Sequence, residues 1–273
     1  MDESELHSLE AFAKEIRVRT IEEIGNLGVG HIGGAMSIVE VLALLYGKWL
    51  HVDPARPDWP GRDRFVLSKG HAGPALYAAL SIKGFFPVEW LSTLNRGGTR
   101  LPSHCDRLKT PGIDMSTGSL GQGIAAACGM ATALLMNGST SRVYCIIGDG
   151  ESDEGQVWES ALYAAHRRLG NLIAFTDKNG LQIDGSTDEV LGLGALEAKW
   201  SAFGWFTQRV PGHDLAAMDA AIEKARLESG GRPSMIVLDT VKGKGCSFCE
   251  GQVGSHNMSF TMDQARAAVA ALG

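Results

Sequence analysis

Between Leu6 and Ile24, apolar side chains recur at Leu6, Leu9, Phe12, Ala13, Ile16, Ile21 and Ile24, the spacing of one helical face. Gly25, Gly28 and Gly30 break that stripe, and His31 follows the break. A second apolar segment, Ile38 to Leu50, predicts another helix, ended by the stretch around Pro54, Pro57 and Pro60. Phe65-Val66-Leu67 is short enough for a strand and delivers Ser68-Lys69-Gly70-His71 at its end. Ala72 to Ile82 then reads as helical.

Further along, Ile124 to Met136 is Ala-rich and apolar, the pattern of a buried helix, and it starts just after Gly121-Gln122-Gly123. Val143 to Ile147 is a continuous apolar run, as in a parallel strand covered on both faces. A helix from Gly155 to Leu169 and a strand from Leu172 to Thr176 complete one βαβ unit with a right-handed crossover. Phe206 to Val210 and Met235 to Asp239 are further strands flanking a helix from Leu215 to Glu228, and Asp263 to Leu272 closes the pattern as a helix. The alternation predicts a three-layer α/β/α domain with a mostly parallel sheet, spanning residues 1–273 as one unit.

Composition narrows the class. The net charge of -6 argues against nucleic acid as a partner. No apolar run approaches the ~18 residues of a membrane span, so no membrane partner is expected. Met1 to Glu5 lack the basic and apolar segments of a signal peptide. Five cysteines at scattered spacings suit reduced thiols, and the expected location is the cytoplasm. Glycine supplies 35 of 273 residues, well above the typical ~7%. Many of these glycines follow apolar runs, where loops leave strand ends.

Those loops carry the candidate chemistry. Ligands in an open parallel sheet gather at the carboxyl ends of strands. Asp149 lies just past one strand in Gly148-Asp149-Gly150, and Asn179 just past the next in Asp177-Lys178-Asn179-Gly180. Thirty positions separate them, about one crossover. Taken singly, each is an ordinary turn residue. Together on neighbouring strands they form a pair of hard oxygen donors suited to Mg²⁺ or Ca²⁺, with the Leu181 carbonyl as a third. Gly118-Ser119-Leu120-Gly121-Gln122-Gly123 precedes a helix, where free amides favour an anion. It is neither a P-loop nor a Rossmann fingerprint, because the following Lys-Ser/Thr and the preceding strand are absent.

These motifs closely resemble those of thiamine-diphosphate enzymes, and within them the N-terminal half of transketolase. The resemblance spans nearly the whole chain: Gly30-His31, Leu67-Ser68-Lys69-Gly70-His71, Pro102-Ser103-His104, Thr117 to Gly123, the Asp149/Asn179 motif, Thr240-Val241-Lys242-Gly243-Lys244-Gly245 and His256. It implies thiamine diphosphate as cofactor, with Mg²⁺ held by Asp149, Asn179 and the Leu181 carbonyl; Ca²⁺ or Mn²⁺ would serve as alternatives. It also implies that Gly118, Ser119, Leu120 and Gly150 contact the diphosphate, and that His71 and His256 lie near the diphosphate and thiazolium. His31 and His104, with His256, would face the sugar donor. Glu154 matches a glutamate that links the two cofactor sites across a dimer. Ser119 stands where many relatives carry proline, and Lys178 where an aromatic or polar residue is more familiar.

The same resemblance implies a division of labour. The glutamate that activates the cofactor belongs, in the family, to a pyrimidine-binding domain beyond this region. The chain is therefore read as the diphosphate-binding half of a split transketolase, working with a complementary C-terminal subunit in an α2β2 assembly on sugar phosphates. Pentose phosphates are the default donors, with branched or sulfonated sugars as alternatives. A 2-oxo acid dehydrogenase or deoxyxylulose-phosphate synthase subunit, or a non-catalytic thiamine-diphosphate-binding protein, are the competing readings. His7, His51, His166 and His213 are expected to be merely solvated. Cys246-x-x-Cys249 falls short of a zinc site, because a second pair of ligands is missing.

Overall fold

The computed structural model describes residues 1–273. Its five main strands are β1 (Arg64–Leu67), β2 (Val143–Gly148), β3 (Leu172–Lys178), β4 (Phe206–Pro211) and β5 (Ser234–Asp239). All neighbours run parallel, in the order β1-β2-β3-β5-β4. The longer helices are α1 (Glu3–Leu27), α2 (Gly73–Ile82), α3 (Gln122–Met136), α4 (Gly155–His166), α5 (Leu215–Glu228) and α6 (Met262–Ala270).

Alternate strand residues feed two separate cores, which is what three layers require. Phe65, Tyr144, Ile146, Phe175 and Ile236 join α1, α2, α5 and α6 in a core of 49 buried residues. Val66, Cys145, Ile147, Ala174 and Val237 face α3 and α4 in a smaller core of 21. β2 and β3 read as unbroken apolar runs because both their faces are covered.

Two expectations need correction. Ile38 to Leu50 is not one regular helix: an α-helix over Val39–Leu44 runs into a π-helical turn at Leu45–Trp49. Within that turn, a Cβ on Gly47 would lie 2.4 Å from Leu9 Cδ2, so the glycine is what lets α1 pack so closely. Helix α3 is buried on one face only; Leu135 and Met136 on its last turn are 44% and 79% exposed.

The α1 face holds one anomaly. Glu23 is buried to 1% exposure, and neither carboxylate oxygen has a hydrogen-bond partner. Burial pushes its carboxyl well above the usual range. A group whose folded pKa is raised binds more protons folded than unfolded, so its penalty is absent below the unfolded pKa and grows as pH rises toward the folded value. Replacing Glu23 by Leu is expected to stabilise the protein by about 1–3 kcal/mol at pH 8 and by less at pH 5. Denaturant midpoints at the two pH values check this; an equal gain at both would rule out the charge as the cause.

Candidate functional site

Parallel pairing sets Gly148 of β2 beside Asp177 of β3, so the loops carrying Asp149 and Asn179 leave the sheet side by side. The two open into one cavity of about 370 Å³, also lined by His31, His71, His104 and His256. Asp149 accepts hydrogen bonds from the amides of Gly150 (2.9 Å) and Gly180 (2.6 Å). Burial, reinforced by the nearby Asp177, pushes its carboxyl up to about 6. Asn179 donates through Nδ2 to Asp177 Oδ2 (3.0 Å) and accepts at Oδ1 from the Leu181 amide (3.1 Å). A Cβ on Gly150 would lie 2.4 Å from Gln182 Oε1 and 3.1 Å from Gln182 Cβ, so glycine leaves room for the Gln182 side chain to pack against this loop.

The donor set fits a divalent cation that also takes phosphate oxygens. Asp149, Asn179 and the Leu181 carbonyl offer hard oxygens. The buried acid favours a nearby positive charge, and a cation is already directed at the third donor: Lys242 Nζ donates to the Leu181 carbonyl at 3.0 Å. No cluster of three or more His, Cys, Asp or Glu side chains could cage a metal alone. Cys246 and Cys249 are buried free thiols.

Four histidines, each from a different loop, meet in the wall of the same cleft. Ring centroids lie 5.2 Å apart for His31–His71, 5.6 Å for His31–His104, 5.4 Å for His31–His256 and 5.0 Å for His71–His256. An antiparallel ribbon makes the third of these contacts possible: Val29–Gly30 pairs with Met258–Ser259, drawing His256 to His31. Burial lowers the pKa of all four, most strongly that of His71, where Lys69 adds to the effect. His256 falls to about 4, helped by Lys242, whose Nζ lies 3.3 Å from its Nδ1. At neutral pH the rings are therefore uncharged, able both to donate and to accept hydrogen bonds.

Gly118 and Leu120 line the cavity, whereas Ser119 and Glu154 are exposed and do not. Four charged residues gain parts that the motifs alone did not announce. Lys69 is buried and donates to Asp177 Oδ2 (2.5 Å) and the Gly34 carbonyl (2.7 Å). Asp177, fully buried, also accepts from Ser37, Asn179 and Thr240. Lys242 lines the cavity, and burial together with Lys69 lowers its pKa to about 8. Glu151 accepts from Ser68 Oγ, from the Gly121 amide (2.9 Å) and from the Gly148 amide (2.9 Å). The only sequence signal for the lysines was their position between a strand end and a glycine. His213 is not merely solvated: it contacts Glu40 Oε2 (2.9 Å) through Nδ1 and accepts from the Val241 amide (2.8 Å) through Nε2.

Hard oxygen donors, a glycine-lined wall and four imidazoles thus share one cavity at the carboxyl ends of the parallel strands. The chain belongs to the transketolase family: residues 8–273 match its thiamine diphosphate binding domain. It is 59% identical to the 6-deoxy-6-sulfo-D-fructose transketolase subunit SqwG of Clostridium sp. (strain MSTE9), over 95% of this chain and 94% of that one. It is 38% identical to an apulose-4-phosphate transketolase subunit of Actinobacillus succinogenes, over 91% and 90% of the two chains. A Pichia stipitis transketolase structure superposes with a TM-score of 0.92 at 32% identity, over 97% of this chain and 40% of that longer one. The chain is thus a transketolase subunit, as its motifs implied.

Proposed function

We propose that this subunit forms the diphosphate- and metal-binding half of a transketolase whose donor is 6-deoxy-6-sulfo-D-fructose, completed by a C-terminal-type partner in an α2β2 assembly. The similarity to the sulfosugar subunit carries the donor assignment, since 59% identity far exceeds the 38% shared with the apulose-phosphate subunit. A cavity of about 370 Å³ lies near the lower end of the ~300–1,000 Å³ spanned by small-molecule sites, which suits half a cofactor site with the remainder on another chain.

Thiamine diphosphate supplies the carbanion stabilisation that ketol transfer needs. The protein's share is binding and proton handling. Asp149, Asn179 and the Leu181 carbonyl would hold Mg²⁺, or Ca²⁺ or Mn²⁺ in its place. Gly118, Leu120, Gly150, Lys242 and His71 would surround the diphosphate, with Ser119 flanking it. His31, His104 and His256 would hydrogen-bond the donor's carbonyl and hydroxyls and shuttle their protons. Glu154, which is exposed and outside the cavity wall, would reach toward a second cofactor site. Breaking the donor's C2–C3 bond leaves a four-carbon sulfonated aldose, and the two-carbon unit passes to an acceptor aldose.

Sulfonated aldose release by this chain mixed with its partner subunit tests the reading. Turnover should require both chains and should favour sulfofructose over fructose 6-phosphate; equal turnover by this chain alone would sink the split site. Replacing Asp149 by Ala is expected to weaken Mg²⁺-dependent cofactor binding at least ~100-fold, equivalent to about 3 kcal/mol. Titration calorimetry checks it, and unchanged affinity would refute the metal assignment.

A further inference from the structure

Outside the cofactor cleft, the loop from Asn95 to Lys109 folds around a separate hollow lined by Asn95, Arg96, Thr99, Arg100 and Lys109 among others, with no acidic residue in its wall. Neither arginine forms an ion pair, and Lys109 has only Asp106 at 4.0 Å. Arg96 donates to the Asn26 carbonyl at 3.3 Å, and the Arg100 guanidinium lies 5.1 Å from the Trp90 ring centroid. These contacts orient the two groups without neutralising them. This concentration of positive charge stands out in a chain of net charge -6.

The loop is held in shape by its own bonds. The Asn95 amide donates to the Leu101 carbonyl (2.8 Å), the Leu101 amide to Thr99 Oγ1 (2.9 Å), and Thr93 and Thr99 hydroxyls meet at 2.8 Å. Thr110 Oγ1 donates to the Arg100 carbonyl. A preformed concave wall carrying planar, unpaired guanidinium groups is what a tetrahedral oxyanion needs. Its setting is informative as well. Pro102 in the wall is two residues from His104, and Asn26, which anchors Arg96, lies five residues before His31. The hollow therefore adjoins the segment that supplies His104 and, through Arg96, the last turn of α1, which ends shortly before His31.

We propose that this hollow is an oxyanion site that receives the sulfonate or phosphate group of a sugar as it enters or leaves the histidine end of the cleft; the sugar assignment rests on the function proposed above. Sulfate and, separately, inorganic phosphate are titrated into the full chain at constant ionic strength while the amide NMR signals of residues 95–99 are followed. Saturable shifts are expected, weakened at least tenfold in the Arg96→Gln/Arg100→Gln variant with an unchanged melting temperature. They should persist in Lys242→Gln, which alters the cofactor cleft instead. Non-saturating shifts, the same affinity in the double variant, or loss of the shifts in Lys242→Gln would overturn the site. In the assembled enzyme, the double variant should raise KM at least fivefold for a sulfonated or phosphorylated ketose and leave KM for an uncharged ketose and kcat unchanged. The anionic donor with the larger rise identifies the natural group, while an equal rise for charged and uncharged donors overturns the sugar assignment. Absence of any ketol transfer by the wild-type assembly would instead defeat the proposed function, leaving the anion titration to judge the hollow by itself.

Discussion

Substituting Glu151 with alanine is expected to cost about 2–6 kcal/mol of folding free energy and to remove measurable cofactor affinity. One carboxylate accepts from Ser68, Gly121 and Gly148, and so ties together three loops that surround the cofactor cleft. Ser68 can turn its hydroxyl elsewhere. The two amides cannot, and each stranded buried donor costs roughly 1–3 kcal/mol. That loss is large against a total stability on the order of 5–15 kcal/mol. Glu151→Gln preserves the shape but turns an NH₂ toward a donor, so it should lose part of the stability and most of the affinity. Denaturant midpoints and cofactor titration measure both quantities. A loss below about 1 kcal/mol in the alanine variant would show that the loops hold together without this clamp.

The second large effect concerns Lys69 and Asp177. Replacing Asp177 by Ala strands a buried ammonium beside the Gly34 carbonyl and should cost about 3–5 kcal/mol. The double replacement Lys69→Met/Asp177→Leu should recover most of that, since apolar substitutes for a buried pair are often neutral. Cofactor affinity should not recover with it. Asp177 also accepts from the Asn179 amide and so holds the amide oxygen in the orientation that the proposed metal role requires. Stability regained with affinity still lost would separate the two contributions of Asp177. Affinity returning along with stability would show that the amide orients itself.

How far the sequence reveals this molecule depends on what each residue responds to. Strands β2 and β3 are legible because burial on both faces demands an unbroken apolar run, and helix α5 matches its expected bounds, Leu215 to Glu228. The segment from Ile38 to Leu50 misleads because a π turn keeps the apolar character of a helix while shifting its register. Within the site, Asp149 and Asn179 can be paired from strand spacing alone. The meeting of His31, His71, His104 and His256 cannot, because nothing local encodes contacts between four distant loops; there the motif resemblance carries the expectation. Glu151, Asp177 and Lys69 are hidden for a related reason. Their importance comes from burial with specific partners, and in sequence they look like ordinary surface charges.

The small ribbon pairing Val29–Gly30 with Met258–Ser259 bears on the timing of assembly. It joins two segments from nearly opposite parts of the sequence, and closing so long a loop is entropically unfavourable and slow. The proposed metal donors, by contrast, all lie between positions 149 and 181, just beyond two adjacent strands. During synthesis, the Asp149 and Asn179 loops can therefore come together well before His256 has left the ribosome. The His31–His256 contact is therefore among the last parts of the cleft to form.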